Sequence, residues 1–331
     1  MPTDSYTLPD AMERLGYIVL TDVLTLSVYV TVLCVPVLVV IVVLFRRQKA
    51  YGAEARAPFT EQLLRPPGES LRLRMEELDE RFMEHATALL FIPSLCIALG
   101  FGSKFSAQPW LGGILAAGSG LYVTLQARKV LKLQRTRWAH RLGFEGERYV
   151  GETLNHLMAD GYMVFHDIPF PNYNIDHVIV GPDGIYAVET KARRKPRNSP
   201  SNSKARVEVD GDRLIFPHTT DTAAIPQAAR NAQSLADWLT RATGEPTSVE
   251  PLVVLVGWYV VRKPCARVRV LNEKEVRHAF PKRKAASFSP ERLQRIVHQL
   301  SERCRLPQCD ITSQATGGSP ARTSFPVNGR D

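Results

Sequence analysis

The stretch Asn174–Lys191, NIDHVIVGPDGIYAVETK, constrains this chain more than any other. Two apolar, β-branched runs flank Gly181-Pro182-Asp183-Gly184, a cluster of turn formers, which predicts two strands joined by a turn. Strand side chains alternate between faces, so Ile185, Ala187, Glu189 and Lys191 share one face and Tyr186, Val188 and Thr190 the other. With the four turn residues as the loop, Val180 pairs with Ile185. That register sets Asp176 across from Glu189 and Lys191 across from Asn174. Opposed carboxylates on an antiparallel pair repel and weaken it. A divalent cation held by oxygen ligands is the natural compensation.

The rest of the 331 residues falls into two regimes. Residues 1–22 form a short acidic N-terminus. Val23–Phe45 carries no charge over 23 residues, enough to span a bilayer as a helix. It has no basic leading region and is too long for a cleavable signal peptide. Residues 46–85 read as a loop followed by an amphipathic helix, with Leu71, Met75, Leu78 and Phe82 at helical spacing. Two further apolar runs within 86–126 predict a transmembrane hairpin, a re-entrant or interfacial pair being the competing reading. Lys and Arg cluster after residue 45 and after residue 127. Three spans would then leave the N-terminus outside and everything after residue 127 in the cytoplasm, on a cell membrane whose lipid bilayer is the first partner.

A basic linker, 127–142, leads into a soluble α/β pattern over 143–306, and a Ser/Thr/Gly/Pro-rich tail, 307–331, closes the chain with the composition of disorder. Within the α/β region the expected helices are Gly146–Ala159, Pro226–Ala242, Glu273–Phe280 and Pro290–Arg305. The expected strands are Tyr162–His166, the central hairpin, a small hairpin around Asp210-Gly211-Asp212, Leu252–Val256 and Val268–Leu271. The five cysteines give neither a disulfide framework nor a second pair to complete a zinc site with Cys304 and Cys309.

On the 146–159 helix, positions 147, 150, 154 and 157 lie along one stripe, so Glu147 extends the apolar face. It is either a site acid or a carboxylate favouring the positive end of the helix dipole. Asp176, Glu189 and Lys191 make an acid, acid, lysine set on adjacent strands. Hard carboxylate oxygens suit Mg²⁺, which also takes phosphate oxygens. A lysine beside them can orient a water or stabilise transition-state charge. Arg193, Arg194, Lys195, Arg197, Lys204 and Arg206 supply a positive surface for a phosphate backbone, within a net charge of +9. A solvated or lipid-facing charged surface is the competing reading.

Three blocks, Gly143-Phe-Glu-Gly-Glu147, Ile175-Asp176-His177 and Val188-Glu189-Thr190-Lys191, together resemble the NERD (nuclease-related) domain of the PD-(D/E)xK superfamily. The resemblance covers roughly residues 140–260. It implies an α/β, restriction-endonuclease-like mixed sheet flanked by helices, here preceded by the α-helical transmembrane region. It implies Asp176 and Glu189 as ligands of Mg²⁺ (or Mn²⁺), the Thr190 carbonyl as a further ligand, Lys191 as the catalytic lysine and Glu147 as the helix acid. Gln227 and His177 also match, His177 equally suiting a structural hydrogen bond. The implied activity is a metal-dependent nuclease, with nucleic acid, DNA before RNA, as partner. Two alternatives stand beside it: a non-catalytic membrane-tethered binding module on the same fold, and a transport or sensor protein, for which the spans lack ionisable residues.

Overall fold

In the computed structural model the described residues are 43, 46, 62–101, 109–195, 205–264, 268–280 and 288–305. The expected first span, 23–45, lies almost wholly outside them, as do the 307–331 tail, Arg197 and Lys204. Two compact units divide the chain: one takes in Leu78–Thr136, the other Phe59–Glu77 and Arg137–Cys309.

Two long helices dominate the N-terminal half. Helix α1 runs Glu69–Phe101 and helix α2 Pro109–Asn155. The amphipathic segment and the second apolar run are therefore one helix. The third run, the basic stretch 127–142 and the expected 146–159 helix are another. Residues 127–142, expected as a linker, are helical, and the division between the two units, Thr136 to Arg137, falls within them. Nothing in RKVLKLQRTRWAHRLG breaks a helix before Gly143, and its Leu, Lys and Arg are good helix formers. Among the described residues, no helix is long and apolar enough to cross a membrane. This corrects the hairpin expected over 86–126. Its two apolar runs, Ala86–Phe101 and Trp110–Gln126, both fall short of the roughly 20 residues that a bilayer core demands.

The second unit is the α/β body. Its main sheet contains β1 (Met163–Phe170), β2 (Tyr173–Gly181), β3 (Gly184–Ala192), β7 (Glu250–Val256) and β9 (Arg269–Asn272), in the order β1-β2-β3-β7-β9. The first two pairings are antiparallel and the last two parallel. A smaller sheet, β6-β5-β4-β8, holds β4 (Arg206–Asp210), β5 (Arg213–Phe216), β6 (Thr219–Asp221) and β8 (Tyr259–Arg262). Helices α3 (Ala224–Thr243), α4 (Glu273–Ala279) and α5 (Pro290–Arg303) complete it. This is a mixed α/β fold with helices flanking the sheets. The expected elements recur with ends moved by a few residues, but β6 and β8 were not legible as strands: TTD and YVVR are too short to show an alternating pattern.

Both faces of the main sheet are covered. Val150 and Leu154 of α2, and Leu157 of the 3-10 turn His156–Asp160 that follows it, pack with Ile179, Val188, Leu252 and Val254. Leu235 and Leu239 of α3 and Ile296 and Leu300 of α5 pack with Val178, Val180, Ile185 and Ala187. A central strand buried on both faces reads as a continuous apolar run, as Leu252–Val256 does.

Candidate active site at the end of the central hairpin

The hairpin pairs as its turn chemistry requires, Val180 with Ile185 and His177 with Val188. There the β2–β3 ladder ends. Asp176 stands one position beyond the last pair, and its carboxylate accepts the Thr190 backbone N–H at 2.7 Å. The expected opposition of Lys191 and Asn174 lies beyond the end of that ladder and is not formed; on the other edge of β2 Asn174 pairs with Pro169 of β1, and its side-chain amide donates to Asp167 at 2.9 Å.

The other edge of β2 carries a second interruption. Pairing with β1 keeps one register from Met163↔Val180 to Phe170↔Tyr173, and only the facing positions Asp167 and Asp176 are left out of it. Asp167 has φ +49°, a left-handed conformation that aspartate tolerates better than most residues. The alternation of faces resets there: Phe165 and Ile168, three apart, enter the same core, as do Ile175 and Val178. The irregularity aims Asp176 out of the ladder.

Glu189 is buried at the C-terminal part of β3. Its Oε1 accepts Lys191 Nζ at 2.8 Å and its Oε2 accepts Asn231 Nδ2 at 3.1 Å. Lys191 Nζ also donates to Gln227 Oε1 at 3.3 Å. Gln227 and Asn231 are four apart on α3 and so project from one side. Asn231 was not singled out in the sequence. Its signal was a polar residue within the buried Ala228, Ala232, Leu235 stripe, which an apolar-face argument passes over.

Helix α2 meets the same strand end. A Cβ at Gly146 would lie 2.6 Å from the Ala192 Cβ, so only glycine lets the helix approach here and brings Glu147 beside the site. Burial, then the charges of Asp167 and Glu189, push the Glu147 carboxyl up to about 8. Burial, then Glu189 and Glu147, hold Asp176 well above the usual carboxylate range, against the opposing Thr190 N–H. Glu189 is also raised, by burial, with Lys191 working the other way. For Lys191, burial lowers the affinity for its proton, but Glu189 outweighs that and raises it. The lysine is a held cation.

A set of buried carboxylates that raise one another's proton affinity is the donor chemistry a divalent cation satisfies. Asp176 and Glu189, with the Thr190 carbonyl, suit that role. Among the described residues, however, no three His, Cys, Asp or Glu side chains converge closely enough to hold a metal between them. Lys191 engages Glu189 in the structure as it stands.

Residues N-terminal to α1 pack on this unit too. Arg65 donates from Nε to Asp167 at 2.8 Å and from a terminal nitrogen of the guanidinium to the same oxygen. The Ser70 N–H adds a third bond at 3.0 Å. The Arg65 N–H donates to the Cys304 carbonyl, and Leu64 bridges to Arg305. Pro67 fills the space at Gly151, where a Cβ would meet it at 2.5 Å. The sequence reads as loop here, since the strap's partners lie far along the chain, the nearer of Arg65's two being Asp167, 102 positions away.

His177 is fully buried, and its Nδ1 faces His166 Nδ1 at 2.9 Å; His166 Nε2 faces Asn155 Oδ1 at 3.0 Å. One ring of the pair must donate and the other accept, so the two are not both protonated at Nδ1. Burial lowers His166 to about 4, and burial together with His166 lowers His177 well below the usual range. This is the structural role, not a ligand's.

Of the basic residues, Arg193 pairs with Asp221 at 2.9 Å and lies 4.9 Å from the Phe216 ring centre. Arg194, Lys195 and Arg206 are exposed.

Residues 142–256 match the model of the NERD family, the nuclease-related domain. No match was found among curated proteins or among solved structures. The matched segment starts in α2 just before Gly146 and ends with β7, so it contains every residue of the site.

Proposed function

We propose that this protein is a metal-dependent nuclease of the PD-(D/E)xK type, hydrolysing phosphodiester bonds of nucleic acid, DNA before RNA. The observation that carries this reading is Lys191, held by Glu189 and Gln227 beside an Asp176 whose carboxylate is aimed by the Thr190 N–H. A structural ion pair gains nothing from a second raised carboxylate alongside it.

Asp176, Glu189 and the Thr190 carbonyl would hold Mg²⁺ or Mn²⁺. Such an ion supplies Lewis-acid charge against a phosphate and acidifies water. The chain's own groups do the rest. Lys191, fully protonated and fixed at two points, presents a positive charge to a phosphate oxygen without reorganising. Asn231 and Gln227 keep Glu189 and Lys191 in their rotamers. Glu147, protonated at neutral pH, is a proton donor or a hydrogen-bond donor at the rim.

The Val23–Phe45 run supports anchorage of this activity in a cell membrane, with the basic residues that follow it on the cytoplasmic side. A second reading, a binding module without catalysis, is favoured by the direct Lys191–Glu189 pair, which satisfies both groups without a metal.

The test is cleavage of labelled DNA by the full-length chain with Mg²⁺, with Mn²⁺ and with chelator, beside Asp176→Ala and Lys191→Ala. Metal-dependent cutting lost in both variants supports the nuclease. Salt-sensitive binding with no cutting under any metal supports the binding module instead.

A further inference from the structure

The substrate class can be narrowed from the surface just past the site, and this inference rests on the nuclease reading. Lys191 and Ala192 end β3, and β7 ends beside them, Ala192 pairing with Val256. Two arginine–aromatic pairs lie beyond that edge. Arg194, three residues after Lys191, sits over the Trp138 ring at 5.5 Å. Trp138 lies nine residues before Glu147 on the same helix, about 13 Å along its axis. On the β7 side the chain turns at Gly257, φ +77°, and enters β8, where Tyr259 pairs with Arg206 of β4. The Arg206 guanidinium lies 5.6 Å from the Tyr259 ring centre.

These rings are not core. Trp138 is 52% exposed and Tyr259 60% exposed. Trp258, the next residue to Tyr259, shows the contrast: it is 3% exposed and donates its indole N–H to the Arg193 carbonyl. Among the described residues no carboxylate pairs with Arg194 or Arg206, so both guanidinium charges remain available. A duplex offers phosphates to such a surface but keeps its bases stacked inside. A single strand offers both phosphates and free base faces, and aromatic rings set among cations are the usual platform for it.

We propose that Trp138–Arg194 and Tyr259–Arg206 form a stacking platform that makes single-stranded nucleic acid the preferred substrate. Unpaired bases lie on the two rings while the guanidinium groups hold the flanking phosphates, delivering the backbone to the Lys191 edge.

The experiment measures binding, not cutting, so a dead nuclease does not obscure it. Full-length protein in chelator is titrated against fluorescent oligo-dT, oligo-U and a DNA duplex of equal length, at two salt concentrations. The expected result is tighter binding of the single strands than of the duplex. Trp138→Leu and Tyr259→Leu should each weaken single-strand binding roughly ten-fold. Trp138→Phe and Tyr259→Phe should keep most of it, because a ring remains. Oligo-dT and oligo-U separate DNA from RNA as the source of the strand. Duplex binding equal to single-strand binding, or leucine variants that bind single strands like wild type, would overturn the proposal. Cleavage failing while this pattern holds would count against the nuclease reading alone.

Discussion

Asp167 and Asp176 occupy facing positions on neighbouring strands, yet the fold treats them in opposite ways. Asp167 receives two bonds from Arg65, one from the Ser70 N–H and one from the Asn174 amide. Among the described residues Asp176 receives one, from the Thr190 N–H, and it faces the charges of Glu189 and Glu147. One carboxylate is neutralised and closed to chemistry. The other is left under-compensated at an end of the sheet. Buried charges are costly unless paired, so the exception is where function is to be sought.

The largest effect expected from breaking this contrast is on catalysis. Asp176→Asn should reduce cleavage at least roughly 100-fold while leaving the metal-free protein as stable as wild type or more so, since it removes a carboxylate that burial and its neighbours disfavour. A cleavage assay and a thermal melt on the same preparation check both halves. Asp167→Ala should do the reverse in kind, costing about 3–5 kcal/mol because it strands the Arg65 charge in a mostly buried place. A denaturant melt of Asp167→Ala that matches wild type would show that the strap is not held by this pair.

Metal should sharpen the difference. Protons and a divalent cation compete for Asp176 and Glu189, so Mg²⁺ should raise the melting temperature more at pH 8 than at pH 6. At 100 times its dissociation constant the stabilisation is about 2.7 kcal/mol. In Asp176→Asn the increment should vanish, whereas in a variant of the paired aspartate it should persist in whatever fraction folds. Calorimetry with and without Mg²⁺ at the two pH values tests this.

The smallest effect concerns Glu147. Its pKa is about 8 in the folded state and near 4.5 in the unfolded chain. Between those values the folded state holds the extra proton, so this group's contribution to stability falls as pH rises through the window. Glu147→Gln should therefore flatten the fall in metal-free stability between pH 5 and pH 8. The gain at pH 8 should be roughly 1–2 kcal/mol, after allowing for the coupling with Asp176 and Glu189. Parallel slopes for variant and wild type would place the Glu147 carboxylate in solvent.

Much of the site was legible because its signals are local. Alternating β-branched residues about a Gly-Pro-Asp-Gly turn determine a hairpin, and the loop length determines which residues oppose. That placed Asp176, Glu189 and Lys191 near one another from the sequence, and the 147, 150, 154, 157 stripe set Glu147 on the packed side of its helix. Tertiary structure decided what those residues contact. Arg65 and Asp167 are 102 positions apart, and Asn231 is 42 from Glu189. No periodicity carries information over such distances. Continuity of α2 through the basic 127–142 stretch also escaped a reading that took charge as a boundary, since charged residues are compatible with an exposed helix. Sequence determined the pattern of side chains along each element. Only packing decided which carboxylate would be paired and which left open, because that depends on elements far apart in the chain meeting at one strand end.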